Sequence, residues 1–164
     1  MFLLLLAGCS AALPALDAQP IPIPPGVAYH STPQPEECVP YARRVSGLDL
    51  HGDAWTWWAG AGGRYERGLE PRQGAVLVLR RGQRLDYGHV AVVSEIVGRR
   101  QILVTHTNWG SDFRTRRRVY HNLPALDVSA GNNWSEIRFY NVDTGTYGAV
   151  YPAYGFIYRP GAAT

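Results

Sequence analysis

The segments HVAVVSEIV (89–97) and QILVTHTNW (101–109) stand three residues apart, and this closeness constrains the chain more than any other feature. Both are rich in β-branched residues, which suit a pleated, half-buried surface. The link of Gly98, Arg99 and Arg100 is too short for a parallel crossover, which needs about a dozen residues or more. An antiparallel hairpin is therefore expected. A two-residue Gly98-Arg99 turn of the Gly-X type sets His89 opposite Asn108 and Ala91 opposite His106. Side chains at 89, 91, 106 and 108 then share one face, because strand residues alternate with period two. A three-residue turn would move His89 opposite Trp109 unless a bulge corrected it. Two histidines and an asparagine thus gather at one end of one hairpin.

The other elements follow from local signals. A helix is read over Cys38 to Ser46, with Gly47 as its stop. Pro40 fixes where it begins. Deep in a helix a proline clashes with the carbonyl four residues back and removes a hydrogen bond; in the first turn there is no bond to lose. The helix therefore starts no earlier than about Glu37, and Cys38 lies in or just before its first turn. A second short helix is read over Asp53 to Ala59 (DAWTWWA), capped by Gly52 or Asp53. AVLVL at 75–79 reads as a buried strand, and EIRFYN at 136–141 and YGFIYR at 154–159 as later strands. Residues 110–135 read as loop-rich. Helices first and strands afterwards predict an α+β domain, with N-terminal helices packed on an antiparallel sheet. The chain has 164 residues, 18 of them glycine and 12 proline, which suits one domain of short strands and loops rather than a helix bundle.

The chain opens MFLLLLAGCS. Its apolar run at 2–7 is far below the roughly 20 residues that span a bilayer, and it ends in small residues as a cleavable export signal does. LAGC at 6–9 resembles the lipobox of bacterial lipoproteins. Carried over, Cys9 becomes the lipidated N-terminus, and Ser10 is not the aspartate that retains such proteins at the inner membrane. No Lys or Arg precedes the run, a departure from that pattern. Ordinary secretion and a cytoplasmic protein are the other readings. Residues 10–35 carry prolines at 14, 20, 22, 24, 25, 33 and 35 and read as an extended tether. Their later part, from about Val27, reads alternatively as an ordered arm on the domain. The expected organisation is a signal segment at 1–9, a tether at 10–35 and a domain at 36–164. The expected location is the periplasm, with a lipid on Cys9 holding the protein at the outer membrane.

The net charge of +3 suits an anionic surface such as a cell envelope and is too small to argue for nucleic acid. The densest basic run, Arg114, Arg116, Arg117 and Arg118, is a solvated edge or an anion-facing patch. There are two cysteines, so with Cys9 in the export segment Cys38 stands alone in the domain. It is either a small buried hydrophobe or a reactive thiol. At a helix entrance the dipole of the first turn favours a thiolate. Glu36 and Glu37 oppose that effect if close, and are expected to point to solvent.

If Cys38 lies near the histidine end of the hairpin, nucleophilic amide chemistry follows. An imidazole takes the thiol proton and later gives it to the leaving amine. A third polar group, such as the Asn108 oxygen, holds the imidazole in the useful tautomer. The Cys38 backbone N–H is a natural oxyanion donor. The bland reading makes His89 a hydrogen-bonded histidine at a strand end and Asn108 a turn residue. Zinc on Cys38, His89 and His106 is a further option. No C-x-x-C or H-E-x-x-H spacing is present, so neither metal nor cofactor is expected.

The segments ECVPYARRVSG (37–47), GDAWTWWAGA (52–61), PRQGAVLVL (71–79), GHVAVVSEI (88–96) and THTNWG (105–110) resemble, in order and approximate gaps, the CHAP domain, the cysteine, histidine-dependent amidohydrolase/peptidase. ALDVSAGNNWSEIRFYN (125–141) and YPAYGFIYR (151–159) resemble the end of a bacterial CHAP subgroup. The resemblance implies a papain-like fold, related to the NlpC/P60 peptidases, with Cys38 as nucleophile and His89 as base. The family often has a glutamate two residues before an asparagine at the end of the next strand. Here those positions hold His106 and Asn108. Asn108 then acts alone, or His106 accepts the proton of neutral His89, or His106 contacts substrate.

The resemblance further implies a cell-wall hydrolase that cuts an amide of peptidoglycan through a thioester, as an N-acetylmuramoyl-L-alanine amidase or an endopeptidase. It implies peptidoglycan as partner; from the sequence as a whole, no nucleic-acid partner and a monomer are expected. A catalytically silent wall-binding or structural lipoprotein of the same fold is the alternative, and an amidase of small-molecule amides a third reading. Of Trp55, Trp57, Trp58, Tyr87, Trp109 and Trp134, most are expected in the core, with Trp109 and Tyr87 near the cleft to contact substrate. His30, His51 and His121 show no partner pattern and read as surface or structural.

Overall fold

A computed structural model describes residues 26–160. Helix α1 (Cys38–Ser46) begins where Pro40 permits. It stops at Gly47, whose left-handed backbone (φ 75°) lets its N–H reach the Arg43 carbonyl. A 3-10 turn over Ala54–Thr56, entered from Asp53, leads into the one-turn helix α2 (Trp57–Gly60). A third short helix, α3 (Phe113–Arg116), is closed at its start by a capping box between Asp112 and Thr115.

Among the described residues there are also nine strands: β1 (Ala28–Ser31), β2 (Arg67–Gly68), β3 (Val76–Leu79), β4 (His89–Gly98), β5 (Gln101–Thr107), β6 (Arg118–Asp127), β7 (Glu136–Asn141), β8 (Thr146–Tyr147) and β9 (Tyr151–Ile157). Their order is β1-β6-β5-β4-β3-β9-β7-β8, with β2 on β9, and every pairing is antiparallel. β7 also pairs with β6, so β6-β5-β4-β3-β9-β7 closes into a barrel of six strands. The molecule is thus mostly sheet with few helices. The antiparallel sheet agrees with the sequence reading; its closure was not part of it.

Alternation along the strands builds two cores. Leu77, Leu79, Ala91, Val93, Val104, Phe139 and Phe156 point into the barrel. Val76, Val78, Val90, Val92 and Ile157 point outward and are covered by Leu48, Leu50, Ala42 and Trp57 from the helical layer. Each buried valine, leucine, isoleucine or phenylalanine among them contributes about 1.5–3 kcal/mol. Cys38 and Val39 pack at the edge of the helical layer, against the outer face of the sheet. His89 lies at the first position of β4 and shares the inward face with Ala91 and Val93.

The hairpin differs from expectation at its turn and agrees at its other end. The turn residues are Arg99 and Arg100, between the pair Gly98 and Gln101, not Gly98 and Arg99. Two bulges then shift the register, so that Val93 meets Val104 and Val92 meets Thr105, which is the expected pairing toward His89.

Two segments depart from the sequence reading. Residues 118–127, inside the stretch read as loop-rich, are one of the two longest strands. Their pattern is obscured by Pro124 within the strand and by Arg118, which is buried. Residues 28–31, inside the proline-rich 10–35, form β1 on the edge of β6, as the alternative of an ordered arm from about Val27 has it. The signal segment at 1–9, with Cys9, lies outside the described residues. Among the described residues, no helix is long and apolar enough to cross a membrane.

Candidate active site

Cys38 is the first residue of α1 and carries a free, half-buried thiol. The helix entrance offers two backbone donors, from Cys38 and Val39, since Pro40 has none. Burial is the strongest influence on the sulfur and pushes the thiol up to about 11. The Val90 N–H of β4 opposes it, the Glu37 carboxylate adds to it, and the Cys38 and Val39 amides again oppose it. The helix entrance therefore favours a thiolate, as expected, but loses to desolvation. Glu37 does not point away from the site: its Oε2 accepts a 2.7 Å hydrogen bond from Asn108 Nδ2. Glu36 is held apart by Arg44 at 2.5 Å.

His89 opens β4 directly after Gly88, whose φ is +67°. A Cβ on Gly88 would stand 2.8 Å from the Leu79 carbonyl oxygen and 2.8 Å from the Trp55 nitrogen. Only glycine fits there, and this contact fixes where the strand starts and hence where His89 sits. The imidazole is 3% exposed. Its Nε2 lies 2.7 Å from Nδ1 of His106, with the rings at 76°. Burial lowers His89 to about 3, and burial followed by the nearness of His89 takes His106 well below the ordinary histidine range. Both rings are neutral at neutral pH.

This geometry decides among the readings of the third residue. His106, not Asn108, meets His89. Asn108 was expected on the same strand face, but β5 ends at Thr107 and Asn108 takes a left-handed backbone (φ 55°). The alternation that would align 106 with 108 stops one residue short, and the amide turns to Glu37 instead. Contact of His106 with substrate is also ruled against: the ring is fully buried and does not line the cleft.

Cys38, His89, Tyr87, Asn108 and Trp109 line one cleft of about 1160 Å³. Tyr87 stands at its rim, 70% exposed. Trp109 is half-buried and packs on His89 at 4.7 Å between ring centres and on Phe139 at 4.9 Å, so it braces the His89 ring as well as facing the cleft. Trp57 and Trp134 are core residues, while Trp58 stacks on Tyr154 and Trp55 lies under Arg81.

The basic run is neither wholly an edge nor wholly a patch. Arg118 is buried and makes a two-pronged ion pair with Asp143 at 2.8 and 3.0 Å. Arg114, 3.7 Å from the same carboxylate, and Arg116 line the cleft. His30 and His121 pair at 3.1 Å across β1 and β6, and His51 meets Asp49 at 2.8 Å, all outside the cleft. The residue that sequence reasoning missed at the site is Glu37. No local pattern links it to a partner 71 positions away.

Residues 28–108, from the first residue of β1 to Asn108, match the family model of the CHAP domain. No curated protein matches the chain.

Proposed function

Starting from the CHAP domain that this chain carries, we propose that the protein is a peptidoglycan hydrolase that cuts an amide bond by a cysteine mechanism. One observation carries the reading: Cys38 at the mouth of α1 and His89 at the start of β4 line the same cleft. The finer kinship we propose is papain-like, with a nucleophile on a helix N-terminus set against a base on an antiparallel sheet.

The resting pair is a neutral thiol and a neutral imidazole. Nε2 of His89 is engaged by His106, which leaves Nδ1 for the thiol. For Nδ1 to accept a proton, His89 must carry its own proton on Nε2 and donate it to His106 Nδ1. His106 then carries its proton on Nε2, a buried atom with no partner among the described residues. Such a group costs about 1–3 kcal/mol. As Sγ attacks the carbonyl carbon, its proton passes to His89 Nδ1. The carbonyl oxygen becomes an oxyanion facing the Cys38 and Val39 amides. The C–N bond then breaks, the amine leaves with the proton from Nδ1, and a thioester remains on Cys38. Water attacks the thioester and gives its proton to His89. The acid departs, and the proton returns to the sulfur. Trp109 and Tyr87 contact substrate along the cleft.

We extend the reading to the N-terminal segment. Cys9 bears a lipid, the proline-rich segment spaces a monomeric domain from the outer membrane, and the wall is met in the periplasm. One observation favours a second reading, a catalytically silent CHAP-fold lipoprotein that binds the wall. With His106 where a carboxylate often stands, an imidazolium at His89 has no counter-charge beside it. Digestion of purified peptidoglycan by the wild type and by Cys38→Ser, with new ends identified by mass, separates the two. A new amino terminus on L-alanine identifies an amidase, and a cut within the peptide an endopeptidase. Identical digests would remove the hydrolase reading.

A further inference from the structure

We propose that Glu37 is a positioning residue for the reaction, its carboxylate gripped by the Asn108 amide so that the first turn of α1 is fastened to the end of β5. The inference rests on the Cys38–His89 reading and adds a residue to it. Glu37 is the N-cap of α1, yet its side chain makes no cap hydrogen bond. It reaches across the cleft mouth instead, and Oε2 accepts from Asn108 Nδ2 at 2.7 Å. The run 106–108 therefore touches both halves of the site. His106 holds the base, and two residues on Asn108 holds the residue next to the nucleophile. The left-handed backbone of Asn108 is what turns its amide toward α1. Helix and barrel belong to different layers, and a misplacement of about 1 Å between nucleophile and base can cost 100-fold in rate. The Tyr41–Thr105 hydroxyl pair also joins α1 to β5, and the Glu37–Asn108 bond adds a tie at the end nearest Cys38.

Glu37 has a second effect, through its charge. It is the charged group that acts on the sulfur from α1, while the base on β4 is a neutral ring. Its negative charge disfavours a thiolate and so keeps the proton on sulfur until His89 accepts it. Glutamine at position 37 separates the two effects: it keeps an oxygen for Asn108 and loses the charge.

The test compares full-length wild type, Glu37→Gln, Glu37→Ala, Asn108→Ala and the Glu37→Ala/Asn108→Ala double variant. Peptidoglycan hydrolysis is followed beside alkylation of Cys38 by iodoacetamide across neutral to alkaline pH, read by mass on the Cys38 peptide. Thermal unfolding checks that each variant folds. Each alanine variant is expected to lower kcat about 10-fold, and the double variant no further, because the two residues act through one bond. Glu37→Gln lowers kcat much less than Glu37→Ala, yet alkylates about 3-fold faster than wild type at a given pH. Losses that multiply in the double variant, or an alkylation profile in Glu37→Gln that superimposes on wild type, would overturn the proposal. Failure of the underlying hydrolase reading looks different, as matching wild-type and Cys38→Ser digests; the alkylation profile then decides for or against Glu37.

Discussion

Nε2 of His89 lies 2.7 Å from Nδ1 of His106 in a pocket that solvent scarcely enters, so the proposed base is held by a second neutral ring rather than by a carboxylate. A neutral acceptor sets tautomer and orientation but supplies little charge to an imidazolium. His106→Ala is expected to lower kcat about 10- to 100-fold with little change in KM. Initial-rate kinetics on soluble peptidoglycan fragments checks this, and an unchanged kcat would free His106 of any part in orienting the base.

The same burial makes stability depend on pH. His89 titrates at about 3 in the folded chain against an ordinary 6.5, and His106 is shifted in the same direction. Between those values the unfolded chain binds protons that the folded chain refuses. Stability is therefore full above about 6.5 and falls as the pH drops toward 3. Cys38 acts at the other end: raised from 9.0 to about 11, it contributes fully below 9.0 and loses that contribution as the pH rises through 11. The unfolding free energy from urea titration should fall between neutral pH and about pH 4 by an amount on the order of a few kcal/mol. The fall should be shallower in a His89→Phe/His106→Phe double variant, and equal slopes would disprove the assignment.

Gly88→Ala tests the seat of His89. The new methyl would meet two backbone atoms, the Leu79 oxygen and the Trp55 nitrogen, each at 2.8 Å, in a left-handed conformation. Neither atom can swing aside as a flexible side chain could. A loss of about 2–3 kcal/mol is expected, with a larger fall in kcat than stability alone explains. Chemical denaturation and kcat on the folded fraction measure the two parts.

Asp143→Ala removes the acceptor of the Arg118 fork and leaves a buried guanidinium without its acid. Because Asp143 itself is partly exposed, the cost is expected at about 2–3 kcal/mol, below that of a fully buried pair. Arg118→Met/Asp143→Ala should recover part of the loss, and calorimetric unfolding of the three proteins checks the order.

How much of this was legible in the sequence depended on how local the signal was. Pro40 and Gly47 bound α1 at both ends, since each acts on its own turn. The alternation in 89–97 and 101–107 put His89 and His106 on one face, even though the turn lies one residue further on and bulges restore the register. Asn108 was misread because alternation was carried past the residue where the strand ends. β6 was missed because its first residue is an arginine neutralised from a distant turn, which no window of sequence reveals. Closure of the barrel was equally hidden, since β6 and β7 declare their own periodicity but not each other. Glu37 looked like a solvated neighbour of the cysteine because its partner comes from another layer of the fold.

The desolvated sulfur of Cys38 has one more consequence. With a value of about 11, only about one molecule in ten thousand carries a thiolate at neutral pH. Peroxide attacks thiolates and largely spares thiols, so slow conversion of Cys38 to sulfenic acid is the expected outcome. The packing that raises the thiol of Cys38 is therefore expected to slow its oxidation as well.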